Sequence, residues 1–315
     1  MYLDFYQLRE YPFTLACDPR FLYFSSGHKE AMAGMLYCLR ERKGAALLLG
    51  EPGTGKTTLL AAVQQMLPGG VVAQTLDTPL HATAVELLGA VVRGYGLDPA
   101  AGGMSELLAR LQEFLRERHD AGECVLLLVD EAQDLNPIAL EQVRLLTNFE
   151  AGGHKLLQII LSGQPELATH LRTVNGRALH QRIAVRCHLQ PLTLAETDAY
   201  LQARLEQAGA DRRVFDAAAV QRIHELTLGV PRVINVIADH CLLAGFTAQA
   251  RTVGRGLVEK VGVQLQISPL RTAPAAVGPQ AAAPAAADAA ANARPPALQR
   301  FASGWARWAG LTEGK

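Results

Sequence analysis

The sequence has no excess of either charge, since 30 lysine and arginine residues balance 30 aspartate and glutamate residues among 315. Composition therefore gives no argument for a nucleic-acid-binding protein, although a local basic face remains compatible with it. The sequence also lacks any apolar run near the roughly 20 residues that a membrane-spanning helix needs. Its apolar runs, such as Ala45–Leu49, have the length of a β-strand. These absences favour a soluble protein.

Cysteine is sparse, and its spacing excludes two kinds of site. The five cysteines are odd in number and scattered, with no C-x-x-C pair and no cluster with histidine. Reduced thiols in a cytosolic protein are the expected state, with neither a disulfide framework nor a metal centre. Acidic and aromatic residues interrupt the first thirty positions, so no signal peptide is expected. We expect a cytoplasmic protein, with peripheral attachment at the inner membrane as an alternative.

Tryptophan is rarer still, and both copies lie near the end of the chain. Residues 271–294 are almost all Ala, Pro and Gly. Such a segment buries too little apolar surface to offset its ordering entropy, so 269–297 is predicted to be a disordered linker. In 298–315, Phe301, Trp305 and Trp308 fall on one helical stripe. This tail is predicted to dock on a membrane or an envelope-assembly partner. The alternative is a disordered tail with no binding role.

The segment GEPGTGKTT, Gly50 to Thr58, is the most informative in the chain. It fits G-x-x-x-x-G-K-[ST] between an apolar strand and a helix-like stretch, the context that a phosphate-binding loop requires. Its glycines let successive N–H groups converge on phosphates, where the helix N-terminus adds a favourable dipole. The residues predicted to bind ATP are Gly50, Glu51, Pro52, Gly53, Thr54, Gly55, Lys56, Thr57 and Thr58. Lys56 is expected to reach the β- and γ-phosphates, and Thr57 to bind Mg²⁺.

A second acidic motif complements this loop. The apolar run Val125–Val129 reads as a central buried strand and ends in Asp130 and Glu131. The carboxyl end of a strand in a doubly wound sheet faces the ligand crevice. Asp130 is therefore predicted to help hold Mg²⁺, and Glu131 to polarise the attacking water of a hydrolysis.

Strands and helices alternate up to residue 190, and only helical patterns follow. Alternation predicts an α/β fold with a parallel sheet covered on both faces. The expected domains are an N-terminal segment with a helix (1–43), an α/β core (44–190) and a small helical domain (191–268). The predicted strands are Ala45–Leu49, Val71–Leu76, Val125–Val129, Ile159–Ser162 and Ile183–Leu189. The predicted helices include His28–Arg42 and, after the loop, Thr58–Leu67.

The combination of motifs and their order along the chain resemble those of an AAA+ ATPase of the ExeA-like (general secretion pathway protein A) family. The resemblance covers about residues 1–265. It is carried by MYLDFYQLREYPF, DPRFLYFSSGHKEAM, GEPGTGKTT, DEAQDL, LSGQPEL, LHQRI, LQPLT and GVPRVIN. It implies Mg-dependent ATP hydrolysis by an AAA+ P-loop NTPase core (44–190). It also implies that residues 1–43 wrap the nucleotide site and that residues 191–268 form a helical lid. Members often carry a transmembrane segment and a peptidoglycan-binding domain, which this sequence lacks, so a soluble member is expected.

The resemblance also implies roles for single residues. Gln164 or Ser162 is the candidate sensor of the γ-phosphate, and Gln164 is favoured because family members usually have an aliphatic residue at the position of Ser162. Arg182 matches the arginine finger that acts on a neighbouring subunit's nucleotide, with Arg186 as the other candidate. Arg232, in the G-x-P-R motif, matches the second sensor, which reaches from the lid. A finger acting in trans implies a homo-oligomer.

Three functions fit this sequence. The leading one is an ATP-driven motor or switch of a secretion, pilus or exopolysaccharide export system. The alternative is a DNA-binding AAA+ regulator of the transposition type, against which the neutral charge argues mildly. A nucleotide-gated adaptor that scarcely hydrolyses ATP is the third.

Overall fold

The computed structural model describes residues 1–76, 83–99, 103–173 and 176–267. The described residues belong to one compact unit, Met1–Ser268. The predicted linker 269–297 and the predicted tail 298–315 lie outside the described residues.

The strands of the described residues are β1 (Ala45–Gly50), β2 (Val71–Leu76), β3 (Cys124–Val129), β4 (Glu150–Ala151), β5 (His154–Lys155), β6 (Leu157–Gly163) and β7 (Ile183–Leu189). Five of them form a parallel sheet in the order β2-β3-β6-β1-β7. Its middle strands, β3, β6 and β1, are almost wholly buried, as near-continuous apolar runs in a sheet covered on both faces should be. The predicted parallel α/β fold is confirmed.

The α-helices of the described residues are α1 (Tyr2–Tyr6), α2 (Ser26–Arg40), α3 (Lys56–Gln65), α4 (Ala84–Gly94), α5 (Met104–Asp120), α6 (Pro137–Leu146), α7 (Pro165–Arg172), α8 (Arg177–His180), α9 (Leu194–Gln207), α10 (Ala217–Thr227), α11 (Pro231–Thr247) and α12 (Arg255–Gln264). Sequence patterns missed α1, α7 and α8, which are too short to develop a helical period. They also missed the β4–β5 hairpin, whose turn is Gly152-Gly153 with positive φ at both residues.

Side-chain caps and loop glycines set the helix starts that matter for the site. The predicted start of α2 at His28 was wrong by two residues, because Ser25 is the N-cap and accepts a hydrogen bond from the His28 N–H. Helix α3 begins at Lys56, earlier than the predicted Thr58, because Gly55 takes the left-handed conformation and turns the chain directly into the helix.

Two hydrophobic cores form within the unit. One lies between the sheet and helices α4, α5 and α6. The other lies among the helices α9 to α12 and includes aromatic residues from the start of the chain, among them Tyr2, Tyr6, Phe13 and Phe21. The Tyr6 hydroxyl donates a hydrogen bond to the Ala250 carbonyl at 2.9 Å. Burial of each such side chain contributes about 1.5–3 kcal/mol, so the N-terminal segment is anchored on the helical part.

The turn before α11 holds the helical part close to the sheet. Leu192, just after β7, donates its N–H to the Gly229 carbonyl at 2.9 Å. Gly229 has a φ of +77°, and a Cβ placed there would lie 1.9 Å from the Leu192 carbonyl oxygen. Only glycine fits this position, and the turn directs the start of α11 back to the carboxyl end of β1.

Candidate nucleotide-binding site

The loop between β1 and α3 has the backbone of a phosphate-binding loop. Gly53 and Gly55 have φ values of +81° and +99°, in the region that favours glycine. Between them Thr54 is buried, and its hydroxyl donates a hydrogen bond to the Glu51 carbonyl at 2.8 Å. Glu51 and Pro52 are exposed at the outer turn of the loop. The N–H groups of the following turn start a helix that has no side-chain cap.

Lys56 lies folded across this loop. Its ammonium group donates to the Gly50 carbonyl at 2.8 Å and to the Glu51 carbonyl at 3.2 Å, and the side chain is only 5% exposed. Burial lowers the pKa of Lys56, while the nearby carboxylates of Glu131 and Asp130 act to raise it. A buried ammonium bonded only to neutral carbonyls is poised to exchange them for anionic phosphate oxygens.

Thr57 and Asp130 meet at the mouth of the loop. The Thr57 hydroxyl donates to a carboxylate oxygen of Asp130 at 2.6 Å, and the other oxygen accepts from the Glu131 N–H at 3.0 Å. A hydroxyl and a carboxylate are the hard oxygen ligands that Mg²⁺ prefers, together with water and phosphates. Among the described residues no group of three or more His, Cys, Asp or Glu side chains forms a cage for a metal. This pair therefore fits a metal that the protein shares with a nucleotide.

Glu131 occupies a strained position at the end of β3. Its φ is +48°, which a residue other than glycine adopts rarely and at a cost of about 1–3 kcal/mol. One carboxylate oxygen accepts a hydrogen bond from the Gln133 side-chain amide at 2.8 Å and lies 3.5 Å from that of Gln164. Sequence reasoning did not select Gln133, although it stands in the same DEAQD motif.

The structure separates the two sensor candidates. Ser162 is fully buried in β6, and its hydroxyl has no hydrogen-bond partner among the described residues. Gln164 follows β6 as the N-cap residue of α7, and its side chain reaches Glu131. Of the two, Gln164 lies beside the acidic motif.

A cavity of about 310 Å³ adjoins the loop. Its walls come from the loop and Glu131, from the N-terminal segment and from the helical part. The lining residues are Thr14, Leu15, Ala16, Cys17, Asp18, Phe21, Leu22, Tyr23, His28, Gly53, Thr54, Gly55, Lys56, Thr57, Thr58, Glu131, Leu192, Tyr200, Arg204, Pro231, Arg232 and Asn235. Polar loop atoms and aromatic side chains line the same cavity, a combination that fits the phosphates and the base of a nucleotide.

The first turn of α11 touches the loop directly. The Arg232 N–H donates to the Gly53 carbonyl at 3.2 Å, and the exposed Arg232 side chain lines the cavity. A Cβ on Gly53 would lie 2.6 Å from the Cβ of Arg232. The structure thus brings Arg232 to the same cavity as Lys56, Thr57 and Glu131.

Beside Phe21, the cavity wall contains a buried arginine whose burial could not be predicted from the sequence. Arg204 of α9 is 7% exposed and lies 4.9 Å from the centre of the Phe21 ring. Its guanidinium donates to the Pro12 carbonyl and, at 3.1 Å, to the Tyr200 hydroxyl. Tyr200 in turn donates to Asn235 at 2.7 Å. Arg204 ties the N-terminal segment to the helical part, which sequence spacing along an amphipathic helix cannot indicate.

His28 packs against the loop between β1 and α3. It is 3% exposed, and its Nδ1 lies 2.6 Å from the Ser25 hydroxyl. A Cβ on Gly55 would lie 3.0 Å from its Nε2. Burial lowers the pKa of His28, while a hydrogen bond with the Thr54 backbone acts against that shift. Its burial against the loop thus disfavours the charged form of the imidazole.

The two finger candidates lie away from the cavity. Arg182 donates to the Thr147 hydroxyl at 2.9 Å and to the Asn148 side chain, at the C-terminal end of α6. Arg186, on the edge strand β7, is exposed and donates to the His180 carbonyl at 2.9 Å. Neither lines the cavity of its own chain.

Known proteins share this fold. The family model described as "AAA domain" matches residues 39–171. The solved Cdc6p of Pyrobaculum aerophilum has a TM-score of 0.60 at 20% identity and covers 78% of this chain and 70% of that one. The ORC2 protein of Aeropyrum pernix has a TM-score of 0.57 at 16% identity, over 75% of this chain and 66% of that one. These likenesses are of fold, and the fold is that of an AAA+ P-loop protein.

One relative narrows the assignment. General secretion pathway protein A of Aeromonas hydrophila is 41% identical over 258 residues, which are 81% of this chain and 47% of that protein. The chain belongs to the ExeA-like family of AAA+ proteins. It spans about half the length of the relative that it matches. No helix of the described residues is long and apolar enough to cross a membrane.

Proposed function

We propose that this protein binds ATP with Mg²⁺ and hydrolyses it to ADP and phosphate. The observation that carries the proposal is the contact between the Thr57 hydroxyl and Asp130 at 2.6 Å, with Glu131 next to it and Lys56 across the loop. A P-loop residue and an acidic residue after a buried strand are the pair that NTPases use to hold the metal. The related ORC2 structure contains ADPNP and ADP, which supports a nucleotide in this fold.

The residues divide the reaction between them. Loop N–H groups and Lys56 bind the phosphates. Thr57 and Asp130 would hold Mg²⁺, which would supply positive charge to the phosphate oxygens. Glu131 accepts the proton of the attacking water as general base. Gln164 and Arg232 contact the terminal phosphate from the core and from the helical part. The aromatic side chains around Phe21 cover the base.

Hydrolysis is proposed to need a second copy of the chain. Arg182 does not line the cavity of its own chain, and a guanidinium outside that cavity is suited to a neighbour's developing phosphate charge. Arg186 is the other candidate for this role. A homo-oligomer follows, with each cavity completed by the next subunit.

The process that hydrolysis drives is proposed from the family. Identity of 41% to General secretion pathway protein A supports an ATP-driven motor or switch in a secretion, pilus or exopolysaccharide export system. The predicted tail 298–315 is proposed as the attachment to an envelope partner or to the inner membrane, with the ATPase part in the cytoplasm. Lipid-vesicle flotation of the full chain against a 1–268 truncation tests the tail. Equal behaviour of the two rejects this attachment.

The central experiment measures ATP binding and phosphate release for the full chain with and without Mg²⁺. Lys56→Ala is expected to lose binding, because the phosphates lose their buried cation. Glu131→Gln is expected to keep binding and to lower turnover about 10²- to 10⁴-fold, the range for a lost general base. Wild-type turnover in Glu131→Gln would reject the base assignment. Strong stimulation by DNA at a stated salt concentration would instead favour a DNA-linked AAA+ protein.

A further inference from the structure

The Gln133 side chain makes two hydrogen bonds, donating in one and accepting in the other. It lies in the short 3₁₀ turn Ala132–Asp134, directly after Glu131. Its amide nitrogen donates to the Glu131 carboxylate at 2.8 Å, and its amide oxygen accepts the backbone N–H of Gln164 at 3.0 Å. A carboxylate only accepts and a backbone N–H only donates, so the two partners together fix the orientation of the amide. The side chain is thus a bridge between the ends of β3 and β6.

The surroundings leave room for this bridge and for little else. A Cβ on Gly163, the last residue of β6, would lie 2.9 Å from the Gln133 amide oxygen and 2.8 Å from a methyl group of Leu167. Gly163 is itself buried. The absence of a side chain at this point therefore lets Gln133 reach the backbone of the neighbouring strand.

Glu131 needs such support. Its positive φ is a conformation that persists only when neighbouring contacts impose it. The Gln164 amide lies at 3.5 Å from the same carboxylate oxygen, the outer limit of a hydrogen bond, whereas Gln133 lies at 2.8 Å. Gln133 is the closer and better-placed donor to Glu131.

We propose that Gln133 is a positioning residue, which holds the Glu131 carboxylate in place for hydrolysis and links it to the end of β6. This inference rests on the proposed role of Glu131 as the base. Gln133 does not line the cavity, so it acts through Glu131 rather than on the nucleotide. Its loss should slow the chemical step and leave nucleotide affinity unchanged.

Gln133→Leu removes both hydrogen bonds while keeping a similar volume. We expect kcat to fall about 10- to 100-fold, the usual effect of losing an orienting partner, and the Kd for ATP with Mg²⁺ to stay within about twofold. Asp134→Ala is the matched control, because Asp134 is exposed in the same turn. Its kcat should remain at the wild-type value. Gln133→Met, which is unbranched, replaces Gln133→Leu if the latter fails to fold.

A double-mutant cycle separates positioning from a general structural role. If Gln133 acts through Glu131, Gln133→Leu added to Glu131→Gln should cause no further loss of rate. A further loss, a weakened Kd or an unchanged kcat in Gln133→Leu would overturn the inference alone. A wild-type rate in Glu131→Gln would overturn the base assignment and the inference with it.

Discussion

The backbone N–H of Arg232 donates a hydrogen bond to the carbonyl of Gly53 at 3.2 Å, so the first turn of α11 rests on the phosphate-binding loop. Gly53 is therefore part of the loop and also contacts the helical part. An alanine at this position is strained by a φ of +81° and meets Arg232 at 2.6 Å. The contact links the backbone of this loop directly to the first turn of α11.

Gly53→Ala is expected to weaken ATP binding at least about tenfold, because the strain and the clash each cost on the order of 1 kcal/mol. Isothermal titration calorimetry measures the affinity. Gly69→Ala is the matched control, since no atom lies within 4 Å of a Cβ placed there. Equal affinities of the two variants would contradict the packing described for Gly53.

Thr57→Val is expected to raise the Mg²⁺ concentration needed for half-maximal hydrolysis at least about tenfold, because the hydroxyl that contacts Asp130 is lost. A Mg²⁺ titration of phosphate release measures this. The comparison variant is Thr58→Val, whose hydroxyl accepts from the Cys17 thiol at 3.4 Å instead. We expect its Mg²⁺ dependence to change by less than about twofold. Equal increases in the required Mg²⁺ concentration for both variants would contradict the role of Thr57 as a metal ligand.

Cys17 provides a chemical test of the cavity. It is exposed, lines the cavity and lies beside Thr58. ATP with Mg²⁺ at about ten times its Kd should slow alkylation of Cys17 about tenfold, as read by peptide mass spectrometry. Burial raises the pKa of Cys38 and of Cys241 to about 12, so these thiols should stay unmodified. Protection should vanish in Lys56→Ala, and a rate that ATP does not change would place the nucleotide elsewhere.

Arg182→Ala is expected to keep ATP affinity within about twofold while lowering turnover of the assembly about 10³-fold or more. Mixing it with Glu131→Gln tests action in trans, because each variant carries what the other lacks. Activity should reappear in the mixture. Loss of the hydrogen bond to Thr147 costs only about 1 kcal/mol of stability, which thermal unfolding reports separately. If the mixture stays inactive, the same experiment with Arg186→Ala tests the other candidate.

His28 predicts a pH dependence of stability. Its pKa is lowered in the folded protein by burial, so the unfolded chain binds its proton more readily. Its contribution to stability is complete above the unfolded pKa of about 6.5 and is lost as pH falls toward the folded pKa. The drop in Tm between pH 7.5 and 5.5 should therefore be smaller in His28→Gln than in the wild type. An equal drop in His28→Gln and in the wild type would contradict this role of His28.

Local sequence was sufficient for the parts of the site that are contiguous. The strand before the loop, the glycines within it and the acidic end of β3 could all be predicted, because each depends on residues next to one another. Helix ends were less accurate, since caps such as Ser25 and Gly55 decide them. Short elements such as α7 were missed because they take their stability from packing rather than from a periodic pattern.

Contacts between distant residues lay beyond the sequence. Sequence patterns did not single out Gln133 or Arg204, because their partners, the Gln164 backbone and the Pro12 carbonyl, are distant in the chain. The motifs by themselves predicted a phosphate-binding loop at Gly50–Thr58 and its acidic partners Asp130 and Glu131. Only the tertiary structure decided how Arg232 meets Gly53, because such contacts arise where separate elements pack together.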